Sequence, residues 1–206
     1  MKFVDLSHTI IHGMPVFPGE KEPSITADLL PADAGYVTHR LETNMHTGTH
    51  IDAPFHVKSD TISIDQFPID LFSGKAIMID VKGQANIKMK PEWEELFKRY
   101  KIILFNTGHG LRWGENEYYD NYPEFDIEIA EKLVKNHVRI AGFDCPSPDK
   151  EPYGFHSVFL KNERFMIENL TNLDQLAGNE DFTFMSFPLK IEAEASLVRA
   201  VAVINQ

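Results

Sequence analysis

The chain has 206 residues, 43% of them hydrophobic, which is long enough to bury one substantial core, so we expect a single domain over residues 1–206. Its 31 acidic residues against 20 basic ones give a formal net charge of −11, which makes a nucleic-acid partner unfavourable. Cys145 is the only cysteine, which excludes an intrachain disulfide and a thiolate metal site, and suits a reducing compartment.

The first part of the chain predicts strands and shaped loops. Its first residues carry charge where a signal peptide needs an apolar run, and no stretch approaches the roughly 18 apolar residues of a membrane span. We therefore expect a cytoplasmic protein without a membrane partner. Up to Ile64 the sequence contains five prolines and no convincing helical pattern, although residues 36–38 favour a strand.

Histidine and aspartate cluster in residues 46–56, which read HTGTHIDAPFH. Three histidines and the aspartate occupy even positions and would share one face of a strand. On a straight strand, at about 3.3 Å per residue, His46 and His50 would lie roughly 13 Å apart, too far to share an ion whose ligand bonds are about 2 Å. We therefore expect a bend at Gly48, after which His50 and Asp52 approach one ion from the same face.

Pro54 follows the aspartate and is expected to end regular strand pairing there. The redirected backbone would let His56 leave the row of ligands and reach over the metal. Because histidine titrates near neutral pH, His56 is the candidate for proton transfer. Isolated histidines are more often surface or satisfied core residues, and we interpret the remaining solitary ones in that way: His12, His39, His109 and His137.

The second half of the chain alternates strand and helix patterns. Strands are predicted at residues 76–81, 102–105, 138–143 and 197–204, each bounded by polar, Gly or Pro residues. Helices are predicted at residues 91–100, where Trp93 and Phe97 would pack on the core, and at residues 127–137. This alternation indicates the α/β class.

Three other features have ordinary structural interpretations. Cys145 is more plausible as a small buried apolar residue than as a nucleophile, because no local Cys/His signature accompanies it. Asp144 could shape its own loop or contribute to a site, and the residues favour neither. Tyr118, Tyr119 and Tyr122 are interpreted as part of an ordered loop.

Several segments together carry a resemblance to a known family. They are residues 14–19 (MPVFPG), 46–56, 105–108 (FNTG), 142–149 (GFDCPSPD), 156–160 (HSVFL) and 167–170 (IENL). The set resembles the metal-dependent cyclase family that includes bacterial kynurenine formamidases, and it covers nearly the whole chain. The resemblance implies a mixed β-sheet or barrel-like core flanked by helices, a cyclase-like fold of the swivelling β/β/α type.

The same resemblance implies roles for individual residues. His46, His50 and Asp52 would bind one metal ion, and Asp52 would also bridge to a second ion completed by two further ligands, His156 and Glu168. His56 would be the acid/base. Phe17 matches an aromatic residue, commonly tryptophan, that contacts the substrate, and Asn106 stands where relatives often have a basic residue.

The chemistry of these ligands suits two zinc ions, with manganese as the alternative. The implied reaction is arylformamidase hydrolysis of N-formylkynurenine to kynurenine and formate, by attack of metal-activated water. Hydrolysis of a cyclic amide such as isatin would use the same mechanism, and a metal-binding protein without activity is the alternative from another class. The resemblance to this family implies a homodimer or homotetramer. The proline-rich N-terminal half could reach a partner subunit, which favours the same prediction.

Overall fold

A computed structural model describes residues 1–30, 32, 35–115, 117–179 and 181–204. Its strands are β1 (Lys2–Asp5), β2 (Ser24–Leu29), β3 (Thr38–Glu42), β4 (His50–Asp52), β5 (Ser73–Asp80), β6 (Asn86–Ile87), β7 (Ile102–Asn106), β8 (Glu124–Phe125), β9 (Ile140–Phe143), β10 (Phe165–Glu168), β11 (Phe182–Met185), β12 (Ala195–Leu197) and β13 (Val201–Ile204). Its helices are α1 (Trp93–Arg99), α2 (Ile127–Lys135) and α3 (Gly154–Lys161).

Nine of these strands, counted over the described residues, form one mixed sheet in the order β1-β13-β11-β5-β7-β9-β10-β4-β12. The four central strands β5, β7, β9 and β10 run parallel, and the flanking strands pair antiparallel. The sheet curls into a half-barrel, which confirms the predicted mixed α/β class. Strands β2 and β3 pair with each other as a separate hairpin.

The two faces of the sheet bury two separate apolar clusters. On the central strand β7, Ile102 and Leu104 belong to one cluster and Ile103 and Phe105 to the other, as the alternation of side chains requires. Both faces are therefore covered, which explains why this strand reads as a continuous apolar run.

The helices cover one face of the sheet. In α1, Trp93 and Phe97 are four residues apart and both are buried in the helix-side cluster, as predicted. In α2, the Asp126 side chain accepts a hydrogen bond from the Glu128 amide and caps the helix N-terminus. Among the described residues, no helix is both long and apolar enough to cross a membrane.

Most predicted elements are present, with shifted boundaries. The run predicted as one strand over residues 197–204 is divided into β12, which pairs with β4, and β13, which pairs with β1 and β11 towards the other end of the sheet. The second helix ends at Lys135, and His137 adopts a positive φ of 58°. The strand predicted at residues 36–38 begins at Thr38. Helix α3 and strand β10 were not among the predicted elements.

Candidate metal centre

Strand β4 lies between β10 and β12 and carries two of the candidate ligands. In the β4–β10 register, His50 stands opposite Glu168 and Asp52 stands opposite Met166. His50, Asp52 and Glu168 therefore lie on the same face of the sheet, because side chains two residues apart share a face. All three are buried.

The turn before β4 brings His46 back toward the strand. Gly48 has a φ of 62°, the left-handed conformation that favours glycine, so the bend expected there is present. As a result, the His46 and His50 rings lie 5.1 Å apart between centroids, and His46 Nδ1 lies 2.9 Å from Asp52 Oδ1. The structure brings His46, His50 and Asp52 together as a group able to hold an ion.

A second group shares Asp52 and adds His156 from α3 and Glu168 from β10. His156 Nε2 lies 3.4 Å from Glu168 Oε1, and His50 Nε2 lies 3.4 Å from Glu168 Oε2. Asp52 is thus common to two adjacent groups of three ligand atoms each. This arrangement is able to place two cations side by side with one carboxylate between them.

The unsatisfied polar atoms of the cluster fit a metal. Within the described residues, His50 Nε2, Asp52 Oδ1 and Glu168 Oε1 are buried and have no hydrogen-bond partner. Buried polar atoms without partners are costly, and ligand atoms that converge on a common point approach one another without the alignment that a hydrogen bond needs. Imidazole and carboxylate donors without thiolate suit zinc or manganese.

The electrostatics of the cluster favour positive charge. Burial lowers the pKa of His46, but the nearby Asp52 carboxylate outweighs this and helps raise the pKa to about 11. Burial of His156 is likewise outweighed, here by the hydrogen bond to Asp149, and the pKa of His156 rises to about 10. The carboxylates therefore hold cations tightly, and a divalent metal ion can replace these protons.

The outer nitrogens of two candidate ligands are fixed by hydrogen bonds. His50 Nδ1 lies 2.9 Å from the Gly48 carbonyl, so that nitrogen donates and Nε2 keeps its lone pair for the cluster. His156 Nδ1 is hydrogen-bonded to the buried Asp149 carboxylate, whose other oxygen accepts from the Phe155 amide at 2.7 Å. Each ring is thereby held in one orientation, and in its neutral form the proton stays on the outer nitrogen.

Asn169 connects these elements. Its Nδ2 donates to the Gly48 carbonyl at 3.0 Å, and its Oδ1 accepts from the Tyr118 hydroxyl at 2.8 Å. The Asn169 carbonyl accepts from Thr49 Oγ1 at 2.6 Å. Asn169 follows Glu168 directly, so its contacts tie β10 to the turn that precedes His50.

His56 lies beside the cluster rather than within it. Strand β4 ends before Pro54, and a 3-10 turn over Pro54–His56 carries the histidine to the cavity, as expected from the proline. Its ring centroid is 4.4 Å from that of His46 and 6.3 Å from that of His156. Burial lowers the pKa of His56, against the opposing effect of Asp52, so the neutral imidazole is favoured.

A cavity of about 240 Å³ opens over the cluster. Phe17 and Tyr119 form one wall, with ring centroids 5.9 Å apart in an edge-to-face arrangement. Tyr119 Oη donates to the Pro15 carbonyl at 3.1 Å, which fixes the ring. Tyr153 also lines the cavity, 5.8 Å from the His156 ring between centroids.

The remaining residues singled out in the sequence lie away from the cavity lining. Asp144 accepts hydrogen bonds from the Thr107 amide and hydroxyl, at 2.8 and 2.6 Å, and from the Gly108 amide, at 2.9 Å, so it fixes the loop that follows β7 rather than its own loop. Cys145 is buried, and its thiol donates to the Ser147 carbonyl. Asn106 donates to Asp174 Oδ1 at 3.1 Å.

Sequence reasoning assigned no site role to several residues that the structure places at the cluster or its cavity, among them Tyr119, Tyr153, Asp149, Glu194 and Asn169. Asp149 stands within the loop that carries the resemblance, and Asn169 directly follows Glu168, so both had a local signal. Tyr119 and Glu194 are distant in sequence from every cluster residue and had none. The expectation that Tyr119 belongs to an ordered loop is incomplete, since its ring also lines the cavity.

Comparisons with known proteins identify the family of the chain. The family model for putative cyclases matches residues 4–150. The kynurenine formamidase of Bacillus anthracis is 31% identical over 207 residues, covering 97% of this chain and 96% of the relative. The kynurenine formamidase of Bacillus mycoides strain KBAB4 is also 31% identical, with the same coverage.

Solved structures share the fold. Isatin hydrolase A from Labrenzia aggregata, bound to benzyl benzoate, superposes with a TM-score of 0.87 at 22% identity, over 100% of this chain and 94% of the other. A protein described as a predicted metal-dependent hydrolase from Bacillus stearothermophilus gives a TM-score of 0.75 at 20% identity, over 98% and 97% of the two chains.

Proposed function

We infer the reaction from one premise: the chain belongs to the cyclase family. It is a metal-dependent hydrolase that acts on carbon–nitrogen bonds other than peptide bonds. One observation on the described residues supports this assignment: two groups of candidate ligands share the buried Asp52 beneath an open cavity.

We propose that the substrate is N-formylkynurenine, which gives kynurenine and formate. Relatives that align over nearly the full length of the chain bear the name kynurenine formamidase. The cavity supports an aryl substrate, because Phe17 and Tyr119 offer an aromatic wall beside the cluster and aromatic rings pack favourably edge to face. A cyclic aryl amide such as isatin would meet the same wall and the same cluster.

We further propose that each of the two ligand groups holds a divalent ion. Zinc is the first choice and manganese the alternative. His46, His50 and Asp52 would hold one ion. Asp52, His156 and Glu168 would hold the other. Such ions, when bound, lower the pKa of water and polarise the carbonyl under attack. The described part of the cluster offers only imidazole and carboxylate donors, which suits both metals.

His56 is proposed as the acid/base. The neutral imidazole takes a proton from the attacking water and returns it to the amine nitrogen as the carbon–nitrogen bond breaks, so a neutral amine and formic acid leave, and the acid loses its proton to solvent to give formate. Its position at the edge of the cluster supports this role, since the ring lines the cavity and stands close to His46 without belonging to either ligand group.

The test is hydrolysis of N-formylkynurenine and of isatin by chelator-stripped protein, before and after zinc or manganese is added back. We expect metal-restored formate release, lost in His50→Ala and retained in the matched control His12→Ala, because His12 is exposed and outside the cluster. If added metal restores only the ring opening of isatin, the proposed substrate is wrong and the proposed mechanism stands. Full activity in the stripped protein would contradict the metal assignment.

We also propose that the chain forms a homo-oligomer. The hairpin β2–β3 pairs apart from the large sheet and leaves apolar side chains exposed, with Leu41 50% exposed and Tyr36, in the loop between its strands, 58% exposed. A light-scattering mass of 23.5 kDa at working concentration would contradict this proposal. The cytoplasmic location stays a prediction.

A further inference from the structure

Glu194 lies beside the candidate metal centre although it belongs to none of the sequence motifs. It immediately precedes β12, which pairs antiparallel with β4 so that Ala195 stands opposite Asp52. Its own carbonyl accepts a hydrogen bond from the Ala53 amide at 2.9 Å. The backbone of Glu194 is therefore held at a fixed place next to the strand that carries His50 and Asp52.

The Glu194 carboxylate faces the outer nitrogen of His46. Glu194 Oε1 lies 3.3 Å from His46 Nε2, while His46 Nδ1 faces Asp52 Oδ1. A neutral imidazole carries one proton, so a proton held on Nε2 by Glu194 leaves the Nδ1 lone pair directed at the cluster. Carboxylates in this position fix the tautomer of a metal-bound histidine and raise its basicity.

The other two histidines of the cluster have outer acceptors of the same kind. His50 has the Gly48 carbonyl and His156 has the Asp149 carboxylate. With Glu194 included, each of the three candidate histidine ligands has one nitrogen directed into the cluster and the other facing an oxygen of the chain. Glu194 thus completes a pattern that the two remaining ligands already follow.

We propose that Glu194 is a positioning residue that orients His46 and increases the affinity of the ion held by His46, His50 and Asp52. This inference rests on the proposed metal-dependent function. Glu194 does not belong to either ligand group among the described residues, so it acts through His46 rather than on the ion. Its side chain is 38% exposed, so its replacement is expected to leave the fold intact.

The test measures metal affinity as well as activity. Zinc would be titrated into the stripped chain against a competing chelator for the parent, Glu194→Ala, Glu194→Gln and the matched control Glu192→Ala, which changes an exposed carboxylate two residues away. Glu194→Ala is expected to weaken the binding of one ion by about 10- to 100-fold and to leave the second unchanged. Glu194→Gln should restore most of the affinity, because its amide oxygen still accepts from His46 Nε2.

Three outcomes would overturn the inference. Parent-like affinity for both ions in Glu194→Ala would remove the positioning role. Equal losses in Glu194→Gln and Glu194→Ala would instead indicate a direct ligand, because a neutral amide binds a metal ion poorly. A parent chain that binds zinc without hydrolysing either amide would contradict the proposed function alone, since the affinities would still test the role of Glu194. A parent chain that binds no ion would overturn both.

Discussion

Replacement of Asn169 by alanine is expected to destabilise the fold through the buried network beneath the candidate metal centre. The change removes the donor to the Gly48 carbonyl and the acceptor of the Tyr118 hydroxyl. The Gly48 carbonyl keeps a second donor, His50 Nδ1. Losing the bond from Asn169 therefore costs the free energy of one ordinary hydrogen bond, about 1 kcal/mol. The buried Tyr118 hydroxyl is left without its acceptor, which costs about 1–3 kcal/mol.

The backbone of Asn169 adds a second cost. Its φ of 55° lies in the left-handed region, which asparagine tolerates better than alanine, so a residue without the polar side chain loses roughly 1 kcal/mol more. Asn172 is a matched control, because it has a φ of 58° but is exposed, so water can replace its side-chain hydrogen bond to the Asp5 carbonyl. The buried network should therefore make Asn169→Ala less stable than Asn172→Ala by about 2–4 kcal/mol.

Thermal unfolding of the metal-free variants measures this difference. For a chain of this size, 2–4 kcal/mol corresponds to a Tm roughly 4–16 °C lower in Asn169→Ala than in Asn172→Ala. Tyr118→Phe keeps the Asn169–Gly48 bond and should lose less stability than Asn169→Ala. Equal Tm values for the two alanine variants would refute the argument that the buried network, rather than the left-handed backbone, makes Asn169 important.

Three further predictions follow from single residues. His56→Ala should lower kcat by about 10²- to 10⁴-fold while the bound metal, measured by elemental analysis, stays unchanged. Gly142→Ala should lower the urea midpoint by the equivalent of about 1–3 kcal/mol, because the added Cβ would lie 2.6 Å from Leu104 Cδ2 in a packed core. Burial lowers the pKa of His8 to about 4 from 6.5, so the folded chain binds fewer protons than the unfolded chain in that window. The stabilising effect of a neutral His8 is present above pH 6.5 and is lost as the pH falls towards 4, and His8→Gln should flatten this part of the Tm–pH curve.

A specific experimental result would contradict each of these predictions. Parent-like kcat in metal-loaded His56→Ala would exclude the acid/base role. An unchanged urea midpoint in Gly142→Ala would show that the side chains around it adjust freely. For the pH prediction, His12→Gln is the control, because His12 is exposed whereas His8 stacks on Trp113 at 4.0 Å between ring centroids. A Tm–pH curve that His8→Gln leaves as steep as the parent's would contradict the assignment to His8.

The sequence predicted the ligands that share one short run better than the elements that complete the cluster. In residues 46–56 the composition is unusual and the spacing demands a bend, so Gly48 could be identified from geometry. Helix α3, which carries His156, has only eight residues, fewer than the window of roughly 11–18 residues over which a helical period can be recognised. His156 and Glu168 were therefore named from resemblance, and their roles stay proposals.

Glu194 shows why the sequence could not predict the other residues around the cluster. Its contact with His46 depends on the pairing of β12 with β4, which joins segments separated by more than 140 residues. Periodicity reports the faces of single elements, and it carries no information on which strands become neighbours. The same limit applies to Tyr119, whose ring meets Phe17 across a cavity formed by loops.

The register of β4 links the core to the candidate metal centre. Ile51 pairs with Ile167 on β10, and both are fully buried in the cluster on the face opposite the helices. Their neighbours on each strand, His50 and Glu168, consequently face the cavity. A shift of one residue would exchange these faces and place ionisable side chains in the apolar core, at a cost of several kcal/mol. The burial of Ile51 and Ile167 thus excludes the one-residue shifts that would turn the ligand atoms away from the cavity.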